Sequence, residues 1–400
     1  MQFIIPIVTK VRELESKILL LSKILSKKKN CSILFGNYKK IFKFVTSNKM
    51  FKICFEKGLS FEKERYLNFL SNNIIPVILD EEGVVCSRAS ESLKDHRGRS
   101  FKTSKYIFKV FAHGKNERDK WINKSNVKAN KILITGNPRF ELCKPSFFKF
   151  FEKTFPQEKN VILINSAFGN GNSLVKFSDQ IHYYKNYKGP FHKEYLNNEI
   201  QHHDYQKKLF KAFFENFNDV LNFFKEEKFI FRPHPLENVE IYNTILKNFN
   251  IEIVKNTSVT QWVYKSKMMI HPGCATALEG YFGNVPAIFY SPKIQNEESY
   301  SQYLPVEISD RAENIDQLIK LIKSKLSSNN FTHKDHIIKN YVENEHSPSD
   351  RITESLINIS QKDLNIFKKS FIFEIIFFKF AMKIKRIILN LFRNDKISKS

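Results

Sequence analysis

The sequence is poor in cysteine and lacks the ligand spacings of a metal site. Its five cysteines are Cys31, Cys54, Cys86, Cys143 and Cys274. They are scattered, odd in number and never paired as C-x-x-C, which argues against a disulfide framework or a structural zinc site and is typical of a reducing cytoplasm. No Asp-x-Asp pattern marks a metal site, and no carboxylate-bearing ligand pattern joins the histidines, so we expect no metal.

Acidic residues are also scarce. The chain has 41 acidic against 65 basic residues, which gives a formal net charge of +24 at pH 7. A basic protein of this kind binds nucleic acid, an anionic membrane or acidic substrates. The sequence has no zinc-finger spacing, no RNP-like aromatic segment and no Arg-rich helix in its body, so we expect no nucleic-acid partner.

We do not expect the first residues of the sequence to be a signal peptide. Residues 1–10 lack the basic start and the long apolar core of a signal peptide, and they predict a first β-strand. The chain of 400 residues is longer than the ~250–300 residues at which single cores stop growing, so we expect more than one domain.

Short apolar segments alternate with segments of helical periodicity along the chain. This alternation predicts an α/β fold built of doubly wound parallel sheets with helices on both faces. We predict a first domain at 1–150, a second at 151–335, a C-terminal helical segment at 336–365 and a separate tail at 366–400. The segment 144–159 is interpreted as the interdomain linker.

The stretch 268–292 organises the second half of the chain. Its pattern predicts a short strand, a His-Pro-Gly turn, a helix that begins near Ala275 and a second strand. A helix N-terminus offers unpaired N–H groups and the positive end of the helix dipole, so the turn is a candidate phosphate cradle. The residues of this cradle are Gly273, Cys274, Ala275 and Thr276.

Two further residues flank this turn. Glu279 lies one helical turn further along, where its carboxylate can reach a sugar hydroxyl. His271 precedes the cradle and either touches the nucleotide or holds the turn through a backbone hydrogen bond. An ordinary βαβ crossover, in which glycine and threonine only shape a turn, would show the same residues.

Three consecutive carboxylates follow the predicted strand 74–79. They are Asp80, Glu81 and Glu82, and Gly83 ends the run. Carboxylates held close together repel one another, so at least one is expected to have a raised pKa and to act as general base on an acceptor hydroxyl. A solvated acidic turn is the alternative.

A His-Pro sequence, Arg232-Pro233-His234-Pro235, follows another predicted strand. Two prolines fix the backbone around His234. Arg232 and His234 can neutralise a phosphate, with His234 donating to the leaving phosphoryl oxygen. A rigid turn whose histidine is capped by the backbone is the alternative.

Polar residues after two other predicted strands are secondary candidates for the cleft. In doubly wound sheets, ligands bind beyond the carboxyl ends of the strands. These candidates are Asn137, Arg139, Asn165, Ser166 and Asn170.

These motifs resemble those of GT-B glycosyltransferases. The pattern His-x-Gly-x-x-Thr with Glu279 is similar to their donor-nucleotide segment, in which the helix N-terminus holds the phosphates and the acidic residue holds the ribose. Residues 231–235 and 80–83 resemble the His-Pro and acidic-acidic-glycine motifs of bacterial transferases that use CMP-activated acidic sugars. With Gly136-Asn137-Pro138-Arg139, the whole resembles the surface-carbohydrate biosynthesis proteins over residues 1–350.

The resemblance implies an enzyme, which we expect in the cytoplasm from its cysteines and on the inner face of the cell membrane from the tail described below. It would transfer a nonulosonate or Kdo-type sugar from a CMP-sugar donor to a glycan or lipid-linked acceptor of surface polysaccharide. Glu81 or Glu82 would be the base, Asp80 would cap the strand, and His234 would assist the departure of CMP. No cofactor is obligatory, because a CMP-sugar has no pyrophosphate.

Other functions on the same fold stay open. They are a UDP-sugar transferase, a UDP-GlcNAc 2-epimerase-like enzyme and a CDP-glycerol-type polymer transferase. An epimerase would release a free or rearranged sugar and need no acceptor. A non-catalytic scaffold that docks partners through its basic tail is the remaining alternative.

The tail differs from the rest of the chain. Apolar residues at helical spacing form one continuous face, made of Phe373, Ile376, Phe377, Phe380, Ile384, Ile387, Ile388 and Leu391. The residues on the opposite side are Lys379, Lys383, Arg386, Asn390 and Arg393. Charges interrupt the run too often for a span of about 20 apolar residues. We predict an amphipathic helix on an anionic lipid surface through 367–393, with packing on a domain or a partner subunit as the alternative.

Overall fold

Each half of the chain folds around one parallel β-sheet. The structure is a computed structural model, and the residues it describes are 1–45, 49–60, 62–84, 86–92, 103–152, 160–186, 192–328 and 331–397. Within these residues it has twelve strands and twenty α-helices. The prediction of an α/β fold with two doubly wound parallel sheets is confirmed.

The first sheet contains the strands of the N-terminal half. They are β1 (Gln2–Ile7), β2 (Ser32–Asn37), β3 (Lys52–Glu56), β4 (Ile74–Leu79), β5 (Lys109–Ala112) and β6 (Ile132–Ile134). In space they follow the order β2-β1-β3-β4-β5-β6, and every pair is parallel. Strands β3 and β4 are buried along their whole length, as expected for a sheet covered by helices on both faces.

The second sheet has the same architecture. Its strands are β7 (Val161–Asn165), β8 (Lys228–Arg232), β9 (Ile251–Ile253), β10 (Ser266–His271), β11 (Ala287–Tyr290) and β12 (Asp310–Ala312). They follow the order β12-β11-β10-β7-β8-β9. The strand order reverses between β7 and β10, so the loops after these two strands lie where such sheets bind ligands.

Helices cover both sheets. Those of the first half are α1 (Lys10–Lys27), α2 (Tyr38–Ile41), α3 (Lys63–Ser71), α4 (Arg88–Ser92), α5 (Lys115–Ser125), α6 (Pro138–Glu141) and α7 (Phe148–Phe151). Those around the second sheet are α8 (Phe177–Lys185), α9 (His192–Phe214), α10 (Phe217–Phe223), α11 (Val239–Ile245), α12 (Val259–Lys265), α13 (Thr276–Phe282), α14 (Glu297–Tyr300), α15 (Tyr303–Ile308), α16 (Ile315–Ser327) and α17 (Asp335–Ile338). Several begin at a polar side chain that accepts a first-turn N–H, as Ser258 does at α12.

The last three helices return to the first sheet. They are α18 (Pro348–Ile357), α19 (Gln361–Lys369) and α20 (Ile372–Ile397). Ile352 and Leu356 of α18, Leu364 of α19 and Ile375 of α20 are all buried in the core of the first sheet. Among the described residues, no helix combines the length and the apolar content that a membrane crossing requires.

Two segments contain helices that the sequence pattern does not indicate. The stretch 173–205 shows no clear period in the sequence, yet it contains α8 and much of α9. The buried residues of α9 are Tyr205, Leu209 and Phe213, near its C-terminal end, so polar residues along the rest of the helix hide the period. The predicted linker 144–159 contains α7, and its residues 153–159 lie outside the described part of the chain.

Candidate active site

A cavity of about 360 Å³ opens between the carboxyl ends of the two sheets. The first half contributes Val11, Arg12, Glu82 and Arg139 to its wall. The second half contributes Ser166, Ala167, Gly169, Asn170, Gln206, Arg232, His234, Pro235, Leu236, Val259, Cys274, Ala275, Thr276 and Gln302. The remaining predicted site residues lie behind this wall and are all buried, namely Asp80, Glu81, Gly83, Asn137, Asn165, His271, Gly273 and Glu279.

The acidic run does not act as a cluster of repelling charges. The Asp80 carboxylate accepts the Glu82 N–H at 2.8 Å. Buried Glu81 forms an ion pair with buried Lys17, at 2.7 Å between Oε1 and Nζ. Glu82, which lines the cavity, forms an ion pair with Arg12. Each glutamate therefore has its own cation.

The prediction of a raised carboxylate pKa is wrong for Glu81. Burial raises the pKa of this group, but the charge and hydrogen bond of Lys17, with the charges of Arg139 and His113, lower it below its ordinary value. Glu81 is thus ionised and held by Lys17. Of the two candidate bases, Glu82 is the one that reaches the cavity.

The segment 136–139 supports the acidic loop from behind. Asn137 caps α6 by accepting the Arg139 N–H at 2.9 Å, and its amide nitrogen donates to the Asp80 carbonyl oxygen at 3.3 Å. Arg139 Nη1 donates to the Glu81 carbonyl oxygen at 3.1 Å. Asn137 is completely buried, so the structure corrects its predicted cleft role to that of a positioning residue.

Gly83 ends the acidic loop because the space beside it is filled. A Cβ at this position would lie 2.5 Å from Oε1 of Glu117. Glu117 is itself buried and fixed, because it pairs with His113 Nδ1 at 2.6 Å and accepts from Trp121 Nε1 at 3.2 Å. A side chain at position 83 would therefore displace the loop.

A buried ion pair joins the two halves beside the cavity. Arg139 of α6 contacts Oε1 of Glu279 of α13 through both Nε and Nη2. Glu279 is completely buried. The structure therefore corrects the predicted contact of Glu279 with a sugar hydroxyl, since this carboxylate binds the other half of the protein instead.

His271 holds the turn after β10 from inside. Its Nδ1 accepts the N–H groups of Gly273 and Cys274 at 3.0 and 3.1 Å, and its Nε2 lies 2.8 Å from Ser309 Oγ. Because Nδ1 accepts, the proton of the neutral ring is on Nε2. Burial lowers the pKa of His271 to about 3. Of the two roles that the sequence left open, His271 has the structural one.

The predicted phosphate cradle is smaller than expected. The N–H groups of Gly273 and Cys274 already bond to His271, and Gly273 has a φ of +99°, which favours glycine. The part of the turn that reaches the cavity is Cys274, Ala275 and Thr276. The Thr276 hydroxyl donates to Cys274 Sγ at 3.1 Å, and burial raises the pKa of the Cys274 thiol, so this cysteine is a neutral packing residue.

Arg232 brings a positive charge to the cavity that no carboxylate among the described residues contacts directly. Its Nε and Nη2 donate to the Thr257 carbonyl oxygen at 3.2 and 2.9 Å. In the part of the chain that the structure describes, it forms no ion pair with a carboxylate, and burial lowers the pKa of its guanidinium. A partly buried cation without a direct ion-pair partner is incompletely compensated, so this position favours the binding of an anion.

The His-Pro motif presents a neutral imidazole to the cavity. The His234 N–H donates to Ser166 Oγ at 2.8 Å, which fixes the backbone. His234 Nδ1 accepts the Leu236 N–H at 3.3 Å, so the ring proton is on Nε2. Burial, followed by the charges of Arg12 and Arg232, lowers the pKa of His234 to about 4. At neutral pH the side chain is an uncharged N–H donor.

Glu237, which the sequence patterns did not identify, organises the loops of the second half. It is completely buried and accepts from the Ser166 hydroxyl, the Phe168 N–H and the Tyr242 hydroxyl, the last at 2.7 Å. Burial raises the pKa of Glu237 to about 7 in spite of these hydrogen bonds. Its place three residues after His234 is the local signal that points to it.

The sequence patterns do not identify the two functional cations of α1 either. Arg12 lines the cavity and Lys17 holds Glu81, yet both belong to a helix with an ordinary amphipathic pattern. Nothing in their local sequence separates them from the other lysines and arginines of the chain. Their roles depend on where α1 lies over the first sheet.

Asn165 and Asn170 differ in their surroundings. The Asn170 amide is engaged by α9, because its Nδ2 donates to Glu199 Oε2 at 3.1 Å and lies 3.0 Å from His202 Nδ1. Asn165 is buried, and its amide nitrogen and oxygen have no hydrogen-bond partner among the described residues. Because Asn165 does not line the cavity, the structure does not bring this candidate into contact with a ligand there.

No protein-family model matches the sequence, and no curated protein matches it either. Solved structures do resemble it. The wall teichoic acid polymerase TagF is 11% identical over 91% of this chain and 89% of its own, with a TM-score of 0.54. S. aureus MnaA in its co-structure with UDP is 12% identical over 90% of this chain and 95% of its own, with a TM-score of 0.51.

A third structure is the UDP-GlcNAc 2-epimerase from Methanocaldococcus jannaschii. It is 14% identical over 89% of this chain and 99% of its own, with a TM-score of 0.50. At these identities the likeness shows the fold. The fold is GT-B. The expectation drawn from the motifs is confirmed at this level, and the cavity described above lies between the two halves of that fold.

Proposed function

We propose that the protein is a glycosyltransferase of surface polysaccharide biosynthesis. It transfers a nonulosonate or Kdo-type sugar from a CMP-sugar donor to a hydroxyl of a glycan or lipid-linked acceptor. The observation that carries the proposal is Arg232, a cation without a carboxylate partner among the described residues, at the wall of a cavity between two doubly wound sheets. Such a position suits the phosphate of an activated sugar.

The charges of the cavity agree with this class of donor. A CMP-sugar of this type has two anionic groups, the phosphodiester and the sugar carboxylate. Three guanidinium groups lie at the cavity wall, and of these Arg139 is held by Glu279 and Arg12 by Glu82. In this proposal Arg232 binds the phosphate and Arg12 binds the sugar carboxylate. Arg12 then exchanges its ion pair with Glu82 for an ion pair with the sugar carboxylate.

The proposed reaction uses one carboxylate and one imidazole. Glu82 accepts the proton of the acceptor hydroxyl, whose oxygen forms a bond to the anomeric carbon. The bond from that carbon to the phosphate oxygen breaks, and its electron pair leaves with CMP. His234 donates its Nε2–H to this oxygen as a neutral hydrogen-bond donor. Because the donor has a single phosphate, the proposal includes no obligatory metal or other cofactor.

An enzyme that uses UDP-sugars or CDP-glycerol is the second candidate. Three guanidinium groups around one cavity also suit a diphosphate. Two of the similar structures are a wall teichoic acid polymerase and a co-structure with UDP. This candidate shares the fold and the cavity, and differs in the nucleotide that binds.

Nucleotide binding separates the two candidates. CMP, CDP, UMP and UDP are titrated into the full-length protein by calorimetry, each with EDTA and with Mg²⁺, and thermal shifts are measured in parallel. We expect CMP to bind most tightly and to need no Mg²⁺. A preference for UDP or CDP would favour the second candidate, an enzyme that uses UDP-sugars or CDP-glycerol. If none of the four binds, the nucleotide-dependent function is wrong.

A further inference from the structure

Helix α20 presents an uncovered apolar face. Phe373, Phe377 and Phe380 have 85%, 73% and 61% of their surface exposed, and Ile376 and Ile384 continue the same face at 57% and 42%. Their spacing of three and four residues places them on one side of the helix. Within the described residues, no other element packs on this side, so the face is unusually large for a surface exposed to water.

The opposite side of the same helix is fixed to the protein. Phe371, which precedes α20, and Ile375 are buried in the core of the first sheet, and Phe378 packs partly against it. The face with the exposed phenylalanines therefore points away from the core. Rotating the helix to bury them would expose the residues that now pack inside.

An ion-pair cluster at the first turn strengthens this anchor. Glu374 contacts Lys63 at 2.7 Å and Lys105 at 2.8 Å, and it accepts the Tyr106 hydroxyl. Burial raises the pKa of Glu374, but the hydrogen bonds from Lys105, Lys63 and Tyr106 lower it to about 2. These contacts fix the start of α20 against α3 and the segment before β5.

The charges along α20 define the partner. Lys379, Lys383 and Lys385 are exposed, and the sequence has no acidic residue between Glu374 and Asp395. We infer that this face docks on an anionic lipid bilayer, with the helix axis in the plane of the surface, the phenylalanines in the acyl boundary and the lysines at the headgroups. A second copy of the chain on this face would instead bring the lysines of the two copies close together, where their charges repel.

Vesicle binding of the full-length protein tests this inference. The vesicles are phosphatidylcholine alone, or equal parts of phosphatidylcholine and phosphatidylglycerol, and binding is measured by co-sedimentation. We expect the protein to bind the anionic vesicles, and the variant Phe377→Glu/Phe380→Glu to bind at least about tenfold more weakly. The matched control is Phe150→Glu/Phe223→Glu, which changes phenylalanines exposed to 69% and 52% elsewhere.

A second variant tests the charge separately. Lys379→Gln/Lys383→Gln keeps the apolar face, and we expect it to weaken binding to anionic vesicles about tenfold and to remove most of the salt dependence. Thermal unfolding followed by circular dichroism checks that the variants fold.

Three outcomes would overturn the inference. The first is no preference for anionic over neutral vesicles. The second is unchanged binding by the Phe377→Glu/Phe380→Glu variant. The third is a dimer, seen by sedimentation equilibrium without lipid, that this variant abolishes, because the face would then belong to a second copy.

Discussion

Arg139 and Glu279 form a buried ion pair that connects α6 of the first half to α13 of the second, beside the cavity. Arg139 also donates from Nη1 to the Glu81 carbonyl oxygen at 3.1 Å, so one side chain both links the halves and fixes the acidic loop. Two residues that the sequence indicates as separate ligand contacts are thus one structural unit.

Removing one partner of this pair is expected to be costly. Arg139→Met or Glu279→Leu leaves the other charge buried without a partner, so we expect each to lower the free energy of unfolding by about 3–5 kcal/mol. The double variant removes both charges and should recover much of that loss. Urea unfolding of all four proteins measures the coupling. Additive losses, within about 0.5 kcal/mol, would show that the two side chains do not interact.

Glu82 and Glu81 form a matched pair for testing the base. We expect Glu82→Gln to lower turnover by about 10²–10⁴-fold and to retain nucleotide binding, because it removes the proton acceptor at the cavity. Glu81→Gln instead leaves Lys17 buried without its partner. We expect it to lower stability by about 3–5 kcal/mol and to retain activity per folded molecule. Turnover and urea unfolding are measured for both, and the reverse pattern would make Glu81 the base.

Arg232 is expected to affect ligand affinity more than stability. Arg232→Met removes the cation without a carboxylate partner, so we expect the affinity for the preferred nucleotide to fall about 10–100-fold while the unliganded melting temperature changes little. Arg118→Met, on α5 and away from the cavity wall, is the control. Calorimetry gives the affinities. A nucleotide affinity of wild-type strength in Arg232→Met would remove Arg232 from the binding site.

Much of the fold follows from the sequence for a simple reason. Strands such as β4 and β7 are apolar runs buried on both faces, and the predicted strand 74–79 has the same bounds as β4 in the structure. The turns after these strands contain polar residues or glycine, so the sequence also predicts which edge of the sheet faces the cavity. Residues 192–205 of α9 show no clear period because this part of the helix buries few side chains.

The candidate site is harder to predict from the sequence than the fold. Motifs find residues by type and order, and this correctly brings Glu82, Arg232 and His234 to one cavity. Type and order do not show which way a side chain points, so they indicate Glu279 and His271 as ligand contacts although both are completely buried. Whether a carboxylate meets solvent or an arginine from the other half depends on tertiary packing.

His271 should make the stability of the protein depend on pH. Its pKa is about 3 in the folded protein against roughly 6.5 in an unfolded chain, because burial disfavours the charged ring. Between these two values the unfolded state binds more protons than the folded state. The contribution of His271 is therefore fully present above about pH 6.5 and is lost as the pH falls toward 3, by up to about 1.4 kcal/mol per pH unit.

The variant His271→Asn isolates this effect. An asparagine oxygen can accept the Gly273 N–H as Nδ1 does, but it does not titrate, and it gives up the contact with Ser309. We expect the variant to be less stable at pH 7.5 and its deficit to shrink by about 2 kcal/mol between pH 7.5 and 5. Urea unfolding of both proteins across this range measures the difference. His202 and His234, whose pKa values are both lowered to about 4, contribute equally to the two proteins and cancel. Parallel curves would mean that the folded protein accommodates a charged ring at position 271.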